Sequence, residues 1–285
     1  MQIGVAMAFN HKTSGEFMVA AAEMVEEAGL HSIWLPEHVV LFPDYASRYP
    51  YSTDGKIPGD PEGVLDPFTA LTYIAAHTQR IRLGTGVCLV PQRQPVYTAK
   101  AVADLDYLSG GRVDFGVGIG WLKEEFDNLQ MDFRSRARRC TEYIEVMQAL
   151  WRPGVSEYRG QTYALQACYL YPKPVQDPHP PIFFGGESDA ALNRVATHGN
   201  GWYGYDLDPA HAAAGIAKLQ DKLKKVGRSL ADVQIYVGTN THPVTDETVK
   251  QYEDLGVAQL IVPLMAGNVD RLRVRMDRLL KVVPA

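Results

Sequence analysis

Short apolar runs alternate with amphipathic stretches from one end of the chain to the other. The runs are Ile3–Ala8, Ser32–Leu35, Ile81–Val87, Val113–Val117, Pro181–Phe184, Gly201–Tyr203, Gln234–Gly238 and Gln259–Pro263. Each leads through a polar or glycine-rich tip into a stretch of helical periodicity. Strands that alternate with helices pair in parallel, and eight such units close on themselves. The expected fold class is therefore α/β, a (β/α)8 TIM barrel formed by residues 1–285 as a single domain. In such barrels the carboxyl ends of the strands carry the active site. That rule points to Asn10, Glu37-His38, Gly86-Val87, Gly118–Trp121, Gly185–Ser188, Tyr203–Tyr205 and Asn240-Thr241.

Local signals sharpen the boundaries. Ser14 is placed to cap a helix that stops at Gly29, and Asp66-Pro67 opens another that ends near His77. Further helices are expected over Tyr97–Leu108 and from about Ser135 to Leu150. Val39–Leu65, after the second strand, contains Tyr45, Tyr49 and Tyr51 among several prolines and glycines. A stretch of this length without periodicity inside a compact domain reads as a functional lid or a disordered flap, and the lid is the favoured reading. A second Pro-, Gly- and Tyr-rich segment, about 151–180, reads as an insertion after the fourth barrel helix. Within it, Val155–Tyr158 and Thr162–Leu165 could form a small hairpin.

Composition narrows the function classes. A net charge of −5 argues against nucleic acid and anionic membranes as main partners, leaving a small-molecule substrate. The N-terminal MQIGVAMAF has no basic region and no long apolar core, so no signal peptide is read. Cys88, Cys140 and Cys168 are far apart and lack metal-ligand spacing. They are expected to be reduced and buried, which suits the cytoplasm.

The strand tips favour some chemistries over others. No lysine stands at the ends of strands two to eight, which argues against a Schiff-base aldolase. No His-x-His follows the first strand and no His/carboxylate cluster has ligand spacing, so no metal is expected. What remains is glycines, aromatics and one well-placed histidine, the parts of a pocket for a large planar cofactor carrying a phosphate. His38 can donate or accept a proton near neutral pH. Its neighbour Glu37 either orients it or forms an ion pair in the barrel mouth. Gly185, Gly186 and Ser188 open a helix whose N–H groups can cradle a phosphate, provided the Glu187 carboxylate turns elsewhere. Gly84 and Gly86 in strand three read either as a bulge or as a surface bare of side chains on which a ring lies. Trp121 walls a substrate pocket or packs in the core. Gly116–Trp121 contains GxGxG without the spacing of a dinucleotide fingerprint, and that reading is rejected. Arg134, Arg136, Arg138 and Arg139 form either a solvated, ion-paired face or an anion-binding rim.

Taken in order, IWLPEHV (33–39), RIRLGTGVCLVPQRQPVYTAKAVADLDYLSGGR (80–112), VDFGVGIGWLKEEF (113–126) and FFGGESDAALNRVATHGNGWY (183–203) resemble the luciferase-like flavin and deazaflavin oxidoreductases. The likeness is to the coenzyme F420-dependent branch, and it runs over almost the whole chain. It implies an eight-stranded barrel with an insertion after helix four, and a homodimer. By this resemblance His38 is the active-site histidine and Gly86-Val87 a cis-linked bulge behind the ring, while Gly185, Gly186 and Ser188 form the phosphate turn. Several deazaflavin members carry a catalytic glutamate directly after the strand-four glycines. Trp121 stands there in this chain, so that role is not carried over; Glu124 and Glu125 follow three and four residues later. Three readings stay open: F420-dependent hydride transfer, reduced-FMN monooxygenation, and a non-catalytic flavin-binding barrel.

Overall fold

The structure is a computed structural model that describes residues 1–59 and 62–283. Eight strands alternate with helices: β1 Gln2–Ala6, β2 Ser32–Leu35, β3 Arg82–Thr85, β4 Val113–Gly118, β5 Ile182–Gly185, β6 Gly201–Tyr205, β7 Gln234–Gly238 and β8 Gln259–Pro263. Neighbours pair in parallel in chain order. β1 also pairs with β8, through Gln2 opposite Gln259, and the sheet closes into the expected TIM barrel. At β3 the chain breaks out of register and resumes as a short extension, Cys88–Leu89, paired with Val117 and Gly118 of β4. Between the two pieces lies Gly86-Val87, whose peptide bond is cis.

The helices are α1 Gly15–Glu27, α2 Pro67–His77, α3 Pro95–Ser109, α4 Lys123–Asn128, α5 Arg136–Trp151, α6 Asp189–His198, α7 Pro209–Lys225, α8 Asp246–Asp254 and α9 Val269–Leu279. Ser14 and Asp66 cap α1 and α2 through their side chains, as their sequence positions suggest. α3 starts two residues before the expected Tyr97 because Gln94 accepts a hydrogen bond from the Tyr97 N–H and Pro95 fits the first turn. α4 is a six-residue helix that the apolar pattern does not signal.

Side chains on the outer strand faces pack against the helices, while a smaller cluster of Trp34, Phe183, Tyr203, Tyr236 and Ile261 fills the barrel interior. Burying side chains of this size contributes roughly 1.5–3 kcal/mol each. Gly84 is there for this packing. A Cβ on it would lie 2.3 Å from the Trp34 indole, so Gly84 seats the indole inside the barrel and does not bare a surface for a ligand. Segment 152–181 carries an antiparallel hairpin, Ser156–Arg159 with Ala164–Cys168. Its second strand begins two residues later than the pattern suggests. Cys88 and Cys140 are buried, whereas Cys168, in this hairpin, is partly exposed.

Candidate active site

The carboxyl ends of the strands open into a cavity of about 500 Å³. Its wall includes Glu37 and His38 after β2, Gly86-Val87, Gly118–Trp121 after β4, Gly185–Ser188 after β5, and Tyr203 and Tyr205 of β6. The structure therefore brings together every residue singled out for chemistry at these tips. Asn10 and Asn240-Thr241 do not line the cavity. Asn10 accepts a hydrogen bond from the Lys12 N–H within its own turn, and the Thr241 N–H and hydroxyl both donate to Asp206.

His38 is fixed by a buried carboxylate. Its Nδ1 lies 3.1 Å from Oε2 of Glu125, a residue of α4 whose side chain is 0% exposed. Glu125 also accepts from the N–H groups of Val39 (2.7 Å) and Val40 (3.3 Å) and from Gln92 Nε2 (2.9 Å). Because these neighbours all donate, the carboxylate acts only as acceptor, and Nδ1 carries a proton toward it. That fixes the tautomer and leaves Nε2 as the nitrogen available to a ligand. Glu37 does not touch this pair. Its carboxylate accepts from the Leu89 N–H at 2.5 Å and pairs with Arg93, which also reaches Asp66 at the start of α2. Of the two readings of Glu37, the ion pair in the barrel mouth is the one the geometry shows.

Around Val87 the wall is stripped of side chains. A Cβ on Gly118 would lie 2.6 Å from a Val87 methyl, and one on Gly185 3.3 Å from the other. Gly118 and Gly185 thus make room for the Val87 side chain in the wall of the mouth. Beside it the Gly185–Ser188 turn is pinned by the Trp202 indole N–H, which donates to the Gly186 carbonyl at 3.0 Å. Gly186 has φ +99°, a conformation side chains rarely adopt. Ser188 caps α6 by accepting from the Ala191 N–H at 3.2 Å. Glu187 turns its carboxylate away from the turn, accepting from the Tyr205 N–H and the Tyr51 hydroxyl at 2.9 Å each. Burial pushes that carboxyl up from the ordinary glutamate range.

Arg194, one helical turn beyond Ala191, also lines the cavity and has no hydrogen-bond or ion-pair partner among the described residues. Burial lowers its tendency to stay charged, and it lies close enough to Arg136 for the two cations to repel. Sequence reasoning missed Arg194, which reads as an ordinary helix residue. Within the earlier arginine cluster, Arg136 donates to the Gly120 and Phe133 carbonyls and Arg139 to the Pro91 and Asp132 carbonyls. These two clamp the ends of neighbouring loops.

The segment after β2 covers the mouth. Tyr49, Pro50, Tyr51 and Ile57 line the cavity from above. The segment is tied to α4 by Glu124, which accepts from the Ala46 N–H at 2.7 Å and the Ser47 N–H at 3.1 Å. Partial burial works against the Glu124 charge, but its hydrogen bonds with Ser47 and Ala46 outweigh that and bring the carboxyl down to about 2. Trp121 is a wall of the pocket and not a core residue. Its ring meets His38, Tyr45 and Tyr49 edge-on at 5.2–5.9 Å.

A closed parallel barrel with a histidine, a glycine-bared centre and a helix-opening glycine turn at one mouth defines a class. The sequence pattern of the luciferase-like monooxygenases matches residues 1–279, and the chain belongs to this family of oxidoreductases. Uncharacterized protein Rv0953c of Mycobacterium tuberculosis is 30% identical over 262 residues, covering 91% of each chain. Among solved structures, the coenzyme F420-dependent tetrahydromethanopterin reductase of Methanopyrus kandleri superposes with a TM-score of 0.75 at 15% identity, over 97% of this chain and 98% of that one. The monooxygenase RslO1 of Streptomyces bottropensis superposes with a TM-score of 0.70 at 23% identity, over 90% and 75%. At these identities the superpositions establish the shared fold.

Proposed function

We propose that this chain is a coenzyme F420-dependent oxidoreductase that moves a hydride between the deazaflavin and a small organic substrate. The observation that carries this reading is one mouth holding both a glycine-bared seat around Val87 and a histidine whose tautomer Glu125 sets. A volume of about 500 Å³ lies within the roughly 300–1,000 Å³ of small-molecule and cofactor pockets. The donor set also fits a planar ring with an anionic tail: apolar walls at the centre, and the start of α6 with Arg194 at one side.

When bound, the deazaflavin supplies a carbon that takes up or releases the hydride. Gly86 and Val87 would give the ring its seat, with Trp121 as the wall beside it. The N–H groups of the Gly185, Gly186 and Ser188 turn would hold the phosphate, favoured by the helix dipole. His38 Nε2 holds or takes the proton that accompanies hydride transfer, a role worth about 10²–10⁴ in rate. Glu125 positions that imidazole, and Glu37, neutralised by Arg93, keeps the β2 tip beside Leu89. The lid tyrosines exclude water while transfer occurs.

A reduced-FMN monooxygenase is the second reading, supported by the family and by the likeness to RslO1. Calorimetric titration of the protein with F420 and with FMN separately decides between them. The expected result is one F420 held per chain and FMN at least tenfold weaker. FMN held more tightly would overturn the assignment in favour of the monooxygenase.

A further inference from the structure

We propose that the chamber between the lid and Val87 takes a neutral, flat, largely apolar molecule, of the aryl ketone type, and rejects carboxylates, sulfonates and phosphates. The assignment rests on the preceding reading, in which the Gly185–Ser188 side belongs to the cofactor.

Tyr49, Tyr51, Ile57, Trp121 and Tyr205 enclose this end of the cavity. Their rings meet edge to face: Tyr49 with Trp121 at 5.2 Å and 64°, Tyr49 with Tyr51 at 5.6 Å and 66°, and Tyr51 with Tyr205 at 4.7 Å and 72°. Interlocked rings of this kind form a rigid corner that accepts another flat ring in the same geometry. Two of the hydroxyl protons of the corner are already used, which leaves the Tyr205 hydroxyl and the Trp121 indole N–H as its neutral donors. The Tyr51 hydroxyl donates to Glu187 at 2.9 Å, and the Tyr49 hydroxyl donates to that of Tyr205 at 3.5 Å. Burial pushes all three phenols up from their ordinary range, Tyr49 and Tyr51 the furthest, so they present neutral groups.

Charge decides the rest. Arg194 is the only lysine or arginine among the described residues lining the cavity. It sits on α6, where its charge is felt by Arg136 and Cys140 of α5, and so belongs to the turn side. At the lid end an anion would lose its water, find no cation and face the Glu187 carboxylate. A neutral carbonyl or hydroxyl loses less on burial, and a hydroxyl can donate to His38 Nε2, which accepts once Nδ1 carries the proton.

The test is calorimetric titration of cofactor-saturated protein with two isosteric probes, 2-acetonaphthone and 2-naphthoate. It is run at about pH 8, above the ordinary histidine range. The ketone is expected to bind at least tenfold more tightly than the carboxylate. Ile57→Lys, which adds a cation to the lid wall, is expected to shrink that ratio at least fivefold. Equal or tighter binding of 2-naphthoate by the unaltered protein overturns the assignment, as does no saturable binding of the ketone, or a ratio that Ile57→Lys leaves unchanged. Cofactor retention is measured on the same samples. A failed ratio with cofactor held removes the substrate class alone, whereas failure to hold either cofactor removes the function beneath it and this assignment with it.

Discussion

His38 and Glu125 lie 87 residues apart in the chain, yet their side chains meet at 3.1 Å in the barrel mouth. The contact joins the tip of β2 to α4. It is reinforced by the same carboxylate binding the backbone just beyond His38, at Val39 and Val40. One buried group therefore both orients the imidazole and anchors the start of the lid.

Replacing the imidazole isolates its chemical role. His38→Ala is expected to lower turnover about 100-fold or more while cofactor affinity stays within several-fold, because the ring seat and the turn are untouched. Steady-state kinetics beside a cofactor titration checks this. Unchanged turnover would remove His38 from the mechanism.

Glu125→Gln keeps the shape but brings a second amide beside Gln92 and the Val39 N–H. Donors then face donors, and the tautomer of His38 is no longer fixed. Turnover is expected to fall about tenfold or more, and stability by about 1–3 kcal/mol for the buried mismatch. Chemical denaturation and kinetics on one preparation read both. A variant with wild-type rate would show that His38 needs no orienting partner.

The proposed phosphate turn depends on backbone room. Gly186 has φ +99°, and a Cβ there would stand 3.2 Å from the Ala191 methyl at the first turn of α6. Gly186→Val is expected to weaken cofactor binding at least tenfold while circular dichroism keeps the barrel signature. Normal binding would move the phosphate elsewhere, with the Arg136–Arg194 pair the next place to look.

Glu124 gives the lid a pH dependence whose sign follows from its shift. Its carboxyl lies at about 2 in the folded protein against 4.5 for an ordinary glutamate. The tie to Ala46 and Ser47 is thus fully present above about 4.5 and is lost as pH falls toward 2. The stability gap between wild type and Glu124→Gln should be full at neutral pH and close over that window. At neutral pH, trypsin should cut the variant several-fold faster at Arg48 and Lys56 within the lid. A gap that does not change with pH would contradict the tie.

Much of this architecture is legible in the sequence because a parallel barrel repeats one local signal. Each strand is buried on both faces and reads as an apolar run, and Ser14, Asp66 and Ser188 announce their helices by capping. The tips that carry function could be ordered along the chain for the same reason. What the sequence does not reveal is pairing across it. Glu37 is adjacent to His38 in sequence, but successive residues project in different directions, and Glu37 turns to Arg93 while Glu125 takes the histidine. α4 was missed because six residues, KEEFDN, are too few to show a period, and with it went the role of Glu125. Gly84 reads as a ring surface until Trp34 is placed against it. Arg194 shows its significance only when the helix that carries it is docked beside α5.

The measurement that bears most directly on the central claim is a crystal structure of the protein with F420 bound. The account predicts the ring against Val87, flanked by Gly86 and Gly118, with His38 Nε2 within hydrogen-bond reach of the reacting region and the phosphate on the Gly185–Ser188 turn. A ring seated away from Val87, or a phosphate held by neither that turn nor Arg194, would contradict it.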